Sequence, residues 1–149
     1  MPQSQENVKV QNVYFEMINN PANAEVFREI MKKPFPAKIG YWVLKAITKI
    51  QSESKAYFAA RQNLIMRCAE LDEKGNVKVL PNGNVAAWDK EKDGQATFTK
   101  EHAELLQIEV DLGIKYIEAN LDDLDGVNLS PLQWTLMPFL KVKEPSIGE

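Results

Sequence analysis

The stretch from Pro36 to Leu71 has no proline after its first residue, and apolar side chains recur through it every seven residues. A period of seven places its members on one stripe of an α-helix. The members are Val43, Ile50, Tyr57, Leu64 and Leu71, and the stripe is widened by Ala46, Ile47, Ala60 and Cys68. At about 1.5 Å per residue, such a helix is roughly 50 Å long. An amphipathic helix of this length needs other segments to cover its apolar side.

Short elements are predicted before the long helix. Val8 and Val10 alternate with polar residues, which indicates a short β-strand. Apolar residues at helical spacing then predict a helix over residues 10–18. A second short helix is predicted to begin after Asn20 or Asn23, either of which can cap it, and to end at Met31.

Another short helix is predicted near the end of the chain. Ser130 is an N-cap residue, and the proline that follows it favours the first helical position. We expect this helix to reach Leu140, although Pro138 kinks or ends it. The side chains expected to pack inward are Leu132, Leu136, Phe139 and Leu140.

Residues 72–97 predict a β/loop tip between two helices. Asn82-Gly83 separates the apolar runs 77–80 and 85–88, which is typical of a β-hairpin. Thr97 or Thr99 can cap a following helix over residues 98–112, the natural antiparallel partner of the long helix. Its facing stripe would be Phe98, His102, Leu105, Leu106, Glu109 and Val110. Because apolar and polar residues also alternate after position 107, the helix-to-strand boundary within 108–117 stays open.

These patterns predict an α+β, mainly α fold: a long antiparallel helical hairpin with short flanking helices and a small β-hairpin or sheet. The length of 149 residues suits a single domain over 1–149, with residues 1–7 and 141–149 flexible. The formal net charge is −3, but residues 1–70 carry +4 and residues 71–149 carry −7. This charge asymmetry favours either binding to a partner surface or electrostatic attraction between the two halves of the chain.

The residue types present disfavour most enzyme chemistry. The single histidine, His102, has no sequence context that resembles a nucleophile–base site, and the single cysteine, Cys68, lies on the apolar stripe. Glycine-rich phosphate loops are absent from the sequence. One Cys and one His are too few for zinc. We therefore expect a protein that is not an enzyme and binds no cofactor. A basic-then-apolar leader and a membrane-length apolar run are also absent, so we expect no membrane association and a cytoplasmic location.

One loop resembles a calcium site in part. Asp89, Glu91 and Asp93 alternate and are followed by a glycine, as in the first six positions of a calcium-binding loop. The twelfth position is Lys100, where a bidentate glutamate belongs. We interpret the segment as a solvated loop and expect no metal site.

Lysines on the long helix are a candidate contact for nucleic acid. Lys38, Lys45 and Lys49 share a helical face beside Tyr41 and Trp42. The charge density is modest and the aromatic residues fit core packing equally well, so nucleic acid is the disfavoured partner. The residues proposed for contact with a protein partner are Lys38, Lys45, Lys49, Trp88 and Trp134.

Several segments share their order and pattern with one known group of proteins. KVQN near the start precedes a proline-led, lysine-rich helix, which is followed by ARQNL and DEKGNV. The later pattern F-x-x-E-x-x-E-L-L-x-x-E-V is carried by Phe98, Glu101, Glu104, Leu105, Leu106, Glu109 and Val110, and the closing segment reads LDDLDGVNLSPLQWTLMPFL. Over most of residues 8–140 these segments resemble a family of small uncharacterised phage and prophage proteins, from which the charged insertion at 81–94 departs.

The resemblance implies a function without catalysis. Genes of that family tend to lie in phage structural modules, which implies a protein–protein contact in virion or tail assembly. The alternative is a phage inhibitor that binds a host defence protein or another host enzyme. The implied partner is a phage structural protein or a host protein, and the chain could also form a homo-oligomer. The implied location is the host cytoplasm or the virion.

Overall fold

Helices dominate the computed structural model of the chain, which describes residues 6–143. They make up about 53% of the structure, which confirms the α+β, mainly α fold class. The elements in chain order are β1 (Asn7–Gln11), α1 (Asn12–Ile18), α2 (Pro21–Met31), α3 (Ala37–Cys68), α4 (Gly94–Gln107), β2 (Glu109–Lys115), β3 (Ile117–Asn120), a 3-10 turn (Leu121–Leu124), α5 (Pro131–Thr135) and β4 (Leu140–Lys143).

The long helix α3 is continuous and buries the predicted stripe. The backbone N–H of Gly40 donates to the carbonyl of Pro36 at 2.8 Å, so the helix starts beside that proline as expected. Four stripe members are buried: Val43, Ile50, Tyr57 and Leu64. The fifth, Leu71, is 40% exposed, because α3 ends at Cys68 and the helical period does not reach it. Among the widening residues, Ala46, Ile47 and Cys68 are buried and Ala60 is half-buried.

The chain divides into two compact units. Unit 1 contains the residues up to Glu53 together with those from Glu109 onward, and unit 2 contains Ser54–Ile108. The boundary falls inside α3, so both units use part of this helix. The single domain over 1–149 stays a prediction.

Unit 1 carries the β-structure and most of the core. Strands β1 and β2 pair antiparallel, and β3 and β4 pair parallel. The predicted strand at Val8 and Val10 is thus confirmed as β1. The largest fully buried side chains are Phe15, Phe139, Ile30, Ile47, Ile50, Leu112, Leu136, Met137 and Val8, all of which lie in this unit.

The caps of the short helices follow the sequence, but the last helix is shorter than predicted. The Asn20 side chain accepts from the N–H of Ala22 at 3.0 Å, so Asn20 rather than Asn23 caps α2. Ser130 and Gln133 form a reciprocal capping box for α5. This helix ends at Thr135, short of the predicted Leu140. Leu132 is 42% exposed, so its predicted inward packing is wrong, whereas Leu136, Phe139 and Leu140 are buried.

Both predicted flexible segments overlap strands. Asn7 begins β1, and residues 141–143 belong to β4, where Lys141 pairs with Glu118 of β3. Main-chain pairing therefore orders these positions. Glu6 is an exposed residue before β1, and residues 1–5 and 144–149 lie outside the described part of the chain.

In unit 2, α4 is displaced from its predicted position. It begins at Gly94 and ends at Gln107, whereas the sequence predicted 98–112. Neither Thr97 nor Thr99 is the N-cap; that position is Asp93, whose φ of 54° is left-handed. Strand β2 begins at Glu109, which confirms the early change from helix to strand.

The tip between α3 and α4 has hairpin-like pairing without extended strands. The chain turns at Gly83, and the N–H of Leu80 donates to the carbonyl of Asn84 at 2.8 Å. Isolated antiparallel bridges join Val79 to Val85, Leu71 to Val77 and Ala69 to Trp88. The regular β-sheets of the described residues lie in unit 1 instead.

Candidate interaction surface

A groove of about 330 Å³ opens in unit 2 between the second half of α3 and the tip. We call it the tip groove. Its lining residues are Arg61, Gln62, Ile65, Val77, Val79, Gly83, Asn84, Val85, Trp88 and Phe98. Their spacing explains why they meet. Arg61, Gln62 and Ile65 point to the same side of α3, and Val77 and Val79 to the same face of an extended segment.

The tip leaves apolar side chains in solvent. Val79 is 60% exposed, Leu80 46% and Leu71 40%. Single exposed apolar residues are ordinary on protein surfaces, but clusters beside a groove mark contact sites. Here three such residues lie within ten positions along a segment folded back on itself. Val79, which is exposed and lines the groove, makes the tip a candidate interaction surface.

Aromatic rings form a row that begins at the wall of the groove. Trp88 and Phe98 lie 4.8 Å apart between ring centroids, and Phe98 stacks on His102 at 4.9 Å with an interplanar angle of 13°. The Tyr57 hydroxyl lies 3.1 Å from Nε2 of His102. His102 is therefore part of a packed aromatic row. Trp88, one of the proposed partner residues, is half-buried with its ring against Phe98.

Helix α4 is only partly covered by its own unit. Its one fully buried residue in the structure is Gly94, while Phe98, Leu105 and Leu106 are half-buried. An ion pair between Arg67 and Glu101 at 2.8 Å joins it to α3. The predicted facing stripe thus packs incompletely. Apolar area remains that a further molecule could bury.

The carboxylates of the calcium-like segment do not converge. Oδ1 of Asp89 accepts from the backbone N–H groups of Glu91 and Lys92, at 3.0 and 3.3 Å, which closes a turn. Nζ of Lys92 lies 3.8 Å from the same carboxylate. Within residues 6–143, no three His, Cys, Asp or Glu side chains are grouped as metal ligands would be.

The proposed lysines lie on the first half of α3 and already have neighbours. Nζ of Lys45 lies 5.6 Å from the ring centroid of Tyr41 and 5.5 Å from that of Trp42. Lys49 pairs with Glu53 at 3.4 Å, and Lys38 is exposed. These residues belong to unit 1, so the structure does not group them with Trp88.

Trp134 also belongs to unit 1. It follows the capped start of α5 and is 38% exposed. With Glu29, Lys33 and Gln133 it lines a wide depression that also includes residues 127–130. The proposed partner residues are therefore divided between the two units, with Trp88 in unit 2 and the lysines and Trp134 in unit 1.

The sequence did not single out Val79 or Tyr41, which are the most exposed apolar side chains of their regions at 60% and 56%. Each lies in a run of mainly apolar residues. The sequence alone does not show which side chains of such a run are buried and which are exposed. The Asn-Gly turn was the one available signal, because it places Val77 and Val79 on one face of a hairpin arm.

No family model matches the chain, and neither a curated protein nor a solved structure is significantly similar to it. The phage-family resemblance accordingly stays a prediction. Among the described residues, no helix has the length and apolarity needed to span a membrane.

Proposed function

We propose that this chain is a non-enzymatic phage protein that binds a partner protein through the tip groove during virion assembly, most specifically assembly of the tail. The observation that supports binding is the apolar tip, where Val79 is 60% exposed above an open groove. The family resemblance supports the phage setting.

The groove favours an apolar segment as its occupant. Among the described residues that line it, Arg61 alone is charged, and valine, isoleucine and aromatic side chains form most of the wall. Its volume of about 330 Å³ is comparable to the smaller ligand pockets of proteins and accommodates a few side chains. Fully burying one valine contributes about 1.5–3 kcal/mol, so such contacts can serve as anchors within a larger interface.

Incomplete packing of α4 supports the same conclusion. A stable specific interface buries roughly 800 Å² on each partner, which is more than the groove alone supplies. Phe98 lines the groove and belongs to the half-buried stripe of α4, so the two apolar surfaces are continuous through this residue. A partner seated in the groove would extend over α4.

Site-specific cross-linking tests this function. A photoreactive amino acid replaces Val79 in the phage that encodes the protein, and the cross-linked protein is identified by mass spectrometry of assembling and purified particles. We expect a phage structural protein. The matched control carries the same group at Val13, which is 49% exposed, belongs to unit 1 and does not line the groove.

The outcomes separate the two candidate partners. A structural protein cross-linked from position 79 but not from position 13 supports assembly. A host enzyme cross-linked from position 79 overturns the assembly role and favours an inhibitor. Cross-linking from both positions alike overturns the tip groove as the binding site. The substitution Val79→Asp should reduce recovery of the partner by roughly tenfold, because it places a charge in an apolar contact.

A further inference from the structure

A second groove lies within unit 1, between the first half of α3 and the β2–β3 segment. Its volume is about 240 Å³. The helix contributes Trp42, Lys45 and Ala46, and the facing wall contributes residues 113–115 and Ile117. Gly113, with a φ of 69°, turns the backbone within β2. We call this the lysine–aromatic groove.

Three lysines form a row along the helix, and the middle one, Lys45, lines this groove. Lys38, Lys45 and Lys49 are spaced by seven and four residues, so they fall within an arc of about 40° on the helix. Tyr41 and Trp42 flank the row, one on each side. Tyr41 is 56% exposed, so core packing, one of the two interpretations that the sequence left open, does not apply to this ring.

The ammonium group of Lys45 is held in place by the two rings. Its distances of 5.6 and 5.5 Å to the ring centroids are within the range of cation–π attraction. The rings themselves meet edge to face, with centroids 5.2 Å apart. A lysine fixed in this way loses less side-chain entropy when it pairs with an anion.

The part of the chain that carries the lysine row has no acidic residues. From Ile30 to Ser52 the sequence has five lysines and neither Asp nor Glu, although the whole chain is net negative. Glu53, at the end of the stretch, pairs with Lys49. On α3 itself, Lys38 and Lys45 therefore have no acidic residue beside them in the chain, and the exposed ring of Tyr41 lies between them.

We propose that the lysine–aromatic groove binds an acidic segment of a partner protein, in which carboxylates stand beside an aromatic or apolar side chain. The carboxylates pair with Lys38 and Lys45, and the apolar side chain packs on Tyr41 and Trp42. This inference rests on the proposed function, for which it names the chemistry of a second contact. Nucleic acid fits less well, since tight binders neutralise about six to ten phosphates and the row offers three lysines.

Fluorescence anisotropy with a synthetic probe tests the groove. The probe is a short labelled peptide of alternating Glu and Phe, titrated with the full chain. We expect saturable binding that weakens as salt is raised. Lys45→Glu should weaken it roughly tenfold, since it removes one attraction and adds a repulsion of similar size. Lys45→Arg should retain binding.

Control variants keep the test falsifiable. Lys55→Glu makes the same charge change on an exposed residue of α3 that belongs to unit 2, and it should change affinity by less than about twofold. Tyr41→Ala should weaken binding without altering the salt dependence, because it removes apolar contact and no charge. Thermal unfolding of each variant checks that the chain is folded.

Three results would overturn the proposal: no saturable binding of the acidic peptide, equal losses in Lys45→Glu and Lys55→Glu, or tighter binding of oligothymidylate than of the peptide. The last would assign the groove to single-stranded nucleic acid. Because the probe is synthetic and the tip groove is tested by cross-linking at Val79, either proposal can fail while the other stands.

Discussion

Gly94 packs directly on the backbone carbonyl of Cys68, so that a Cβ atom at position 94 would overlap the oxygen. The same oxygen accepts a hydrogen bond from the N–H of Asp89 at 2.9 Å, and the N–H of Gly94 donates to the carbonyl of Asp89 at 2.8 Å. The end of α3 and the start of α4 are thus joined through one small backbone cluster. The glycine that resembled part of a calcium loop is required by packing.

Substituting Gly94 should therefore destabilise unit 2. Gly94→Ala forces backbone to move, and we expect a loss of about 1–3 kcal/mol in the free energy of unfolding, measured with urea. Gly40→Ala is the matched control. At Gly40 the nearest heavy atoms to an added Cβ are 3.6 and 4.0 Å away, and the helix gains up to about 1 kcal/mol. Equal stabilities of the two variants would contradict the packing argument.

A buried hydroxyl provides the second prediction. The Tyr14 side chain donates to the carbonyl of Leu136 at 2.6 Å across a sequence separation of 122 residues. Tyr14→Phe leaves this buried carbonyl without its donor, and we expect a loss of about 1–2 kcal/mol in urea unfolding. Tyr41→Phe, at an exposed site, should cost less than about 0.5 kcal/mol. Similar losses in both variants would argue against the buried contact.

The same tyrosine predicts a pH dependence. Burial raises the pKa of Tyr14 well above its ordinary value near 10. A raised folded-state pKa contributes stability that is complete below about pH 10 and declines as pH rises further, because the unfolded chain releases its proton first. The stability difference between the wild-type chain and Tyr14→Phe should shrink above pH 10, by at most about 1.4 kcal/mol per pH unit. A stability difference between the two proteins that stays constant up to pH 11 would contradict the raised pKa of Tyr14.

Local patterns account for the parts of the fold that the sequence predicted. The seven-residue period correctly predicted the buried side of α3. Helix geometry alone places Val43 and Ile50 on the same side of the helix. Asn20 and Ser130 marked helix starts because capping depends on the nearest residues. Leu71 was misplaced because a period does not show where a helix ends.

Contacts between distant residues account for what the sequence missed. The start of α4 depends on the close approach of Gly94 to Cys68, which is 26 positions away in the chain. The capping preferences of Thr97 and Thr99 are local, so they could not predict this contact. The pairing of β3 with β4 likewise joins Ile117 to Leu140. The tip groove arises where α3, the tip and α4 meet, so no single segment could reveal it.

Thiol labelling tests the surroundings of Cys68. Burial raises the pKa of this thiol, and the side chain is 2% exposed. Because the thiolate is the reactive form, a maleimide or disulfide reagent near neutral pH should react far more slowly with the folded chain than with the chain in urea. Gly94→Ala should accelerate labelling of the folded chain, since it disturbs the packing on Cys68. Rapid labelling of the wild-type chain would contradict the burial.

Two aliphatic residues of α3 provide a direct test of its orientation in unit 1. Ile50 is fully buried and belongs to the seven-residue stripe, whereas Leu44 is 49% exposed on the same helix. Ile50→Ala removes packed methyl groups and leaves a cavity, which should lower the free energy of unfolding by about 2–5 kcal/mol. Leu44→Ala removes a comparable side chain from a half-solvated position and should cost less than about 1 kcal/mol. Both variants replace a four-carbon aliphatic chain by alanine, and the helix propensities of Ile and Leu differ by only about a few tenths of a kcal/mol, so the difference between the variants reports mainly burial. Urea unfolding of the two variants measures this difference directly, and a larger loss at Leu44 would mean that α3 presents another face to its core.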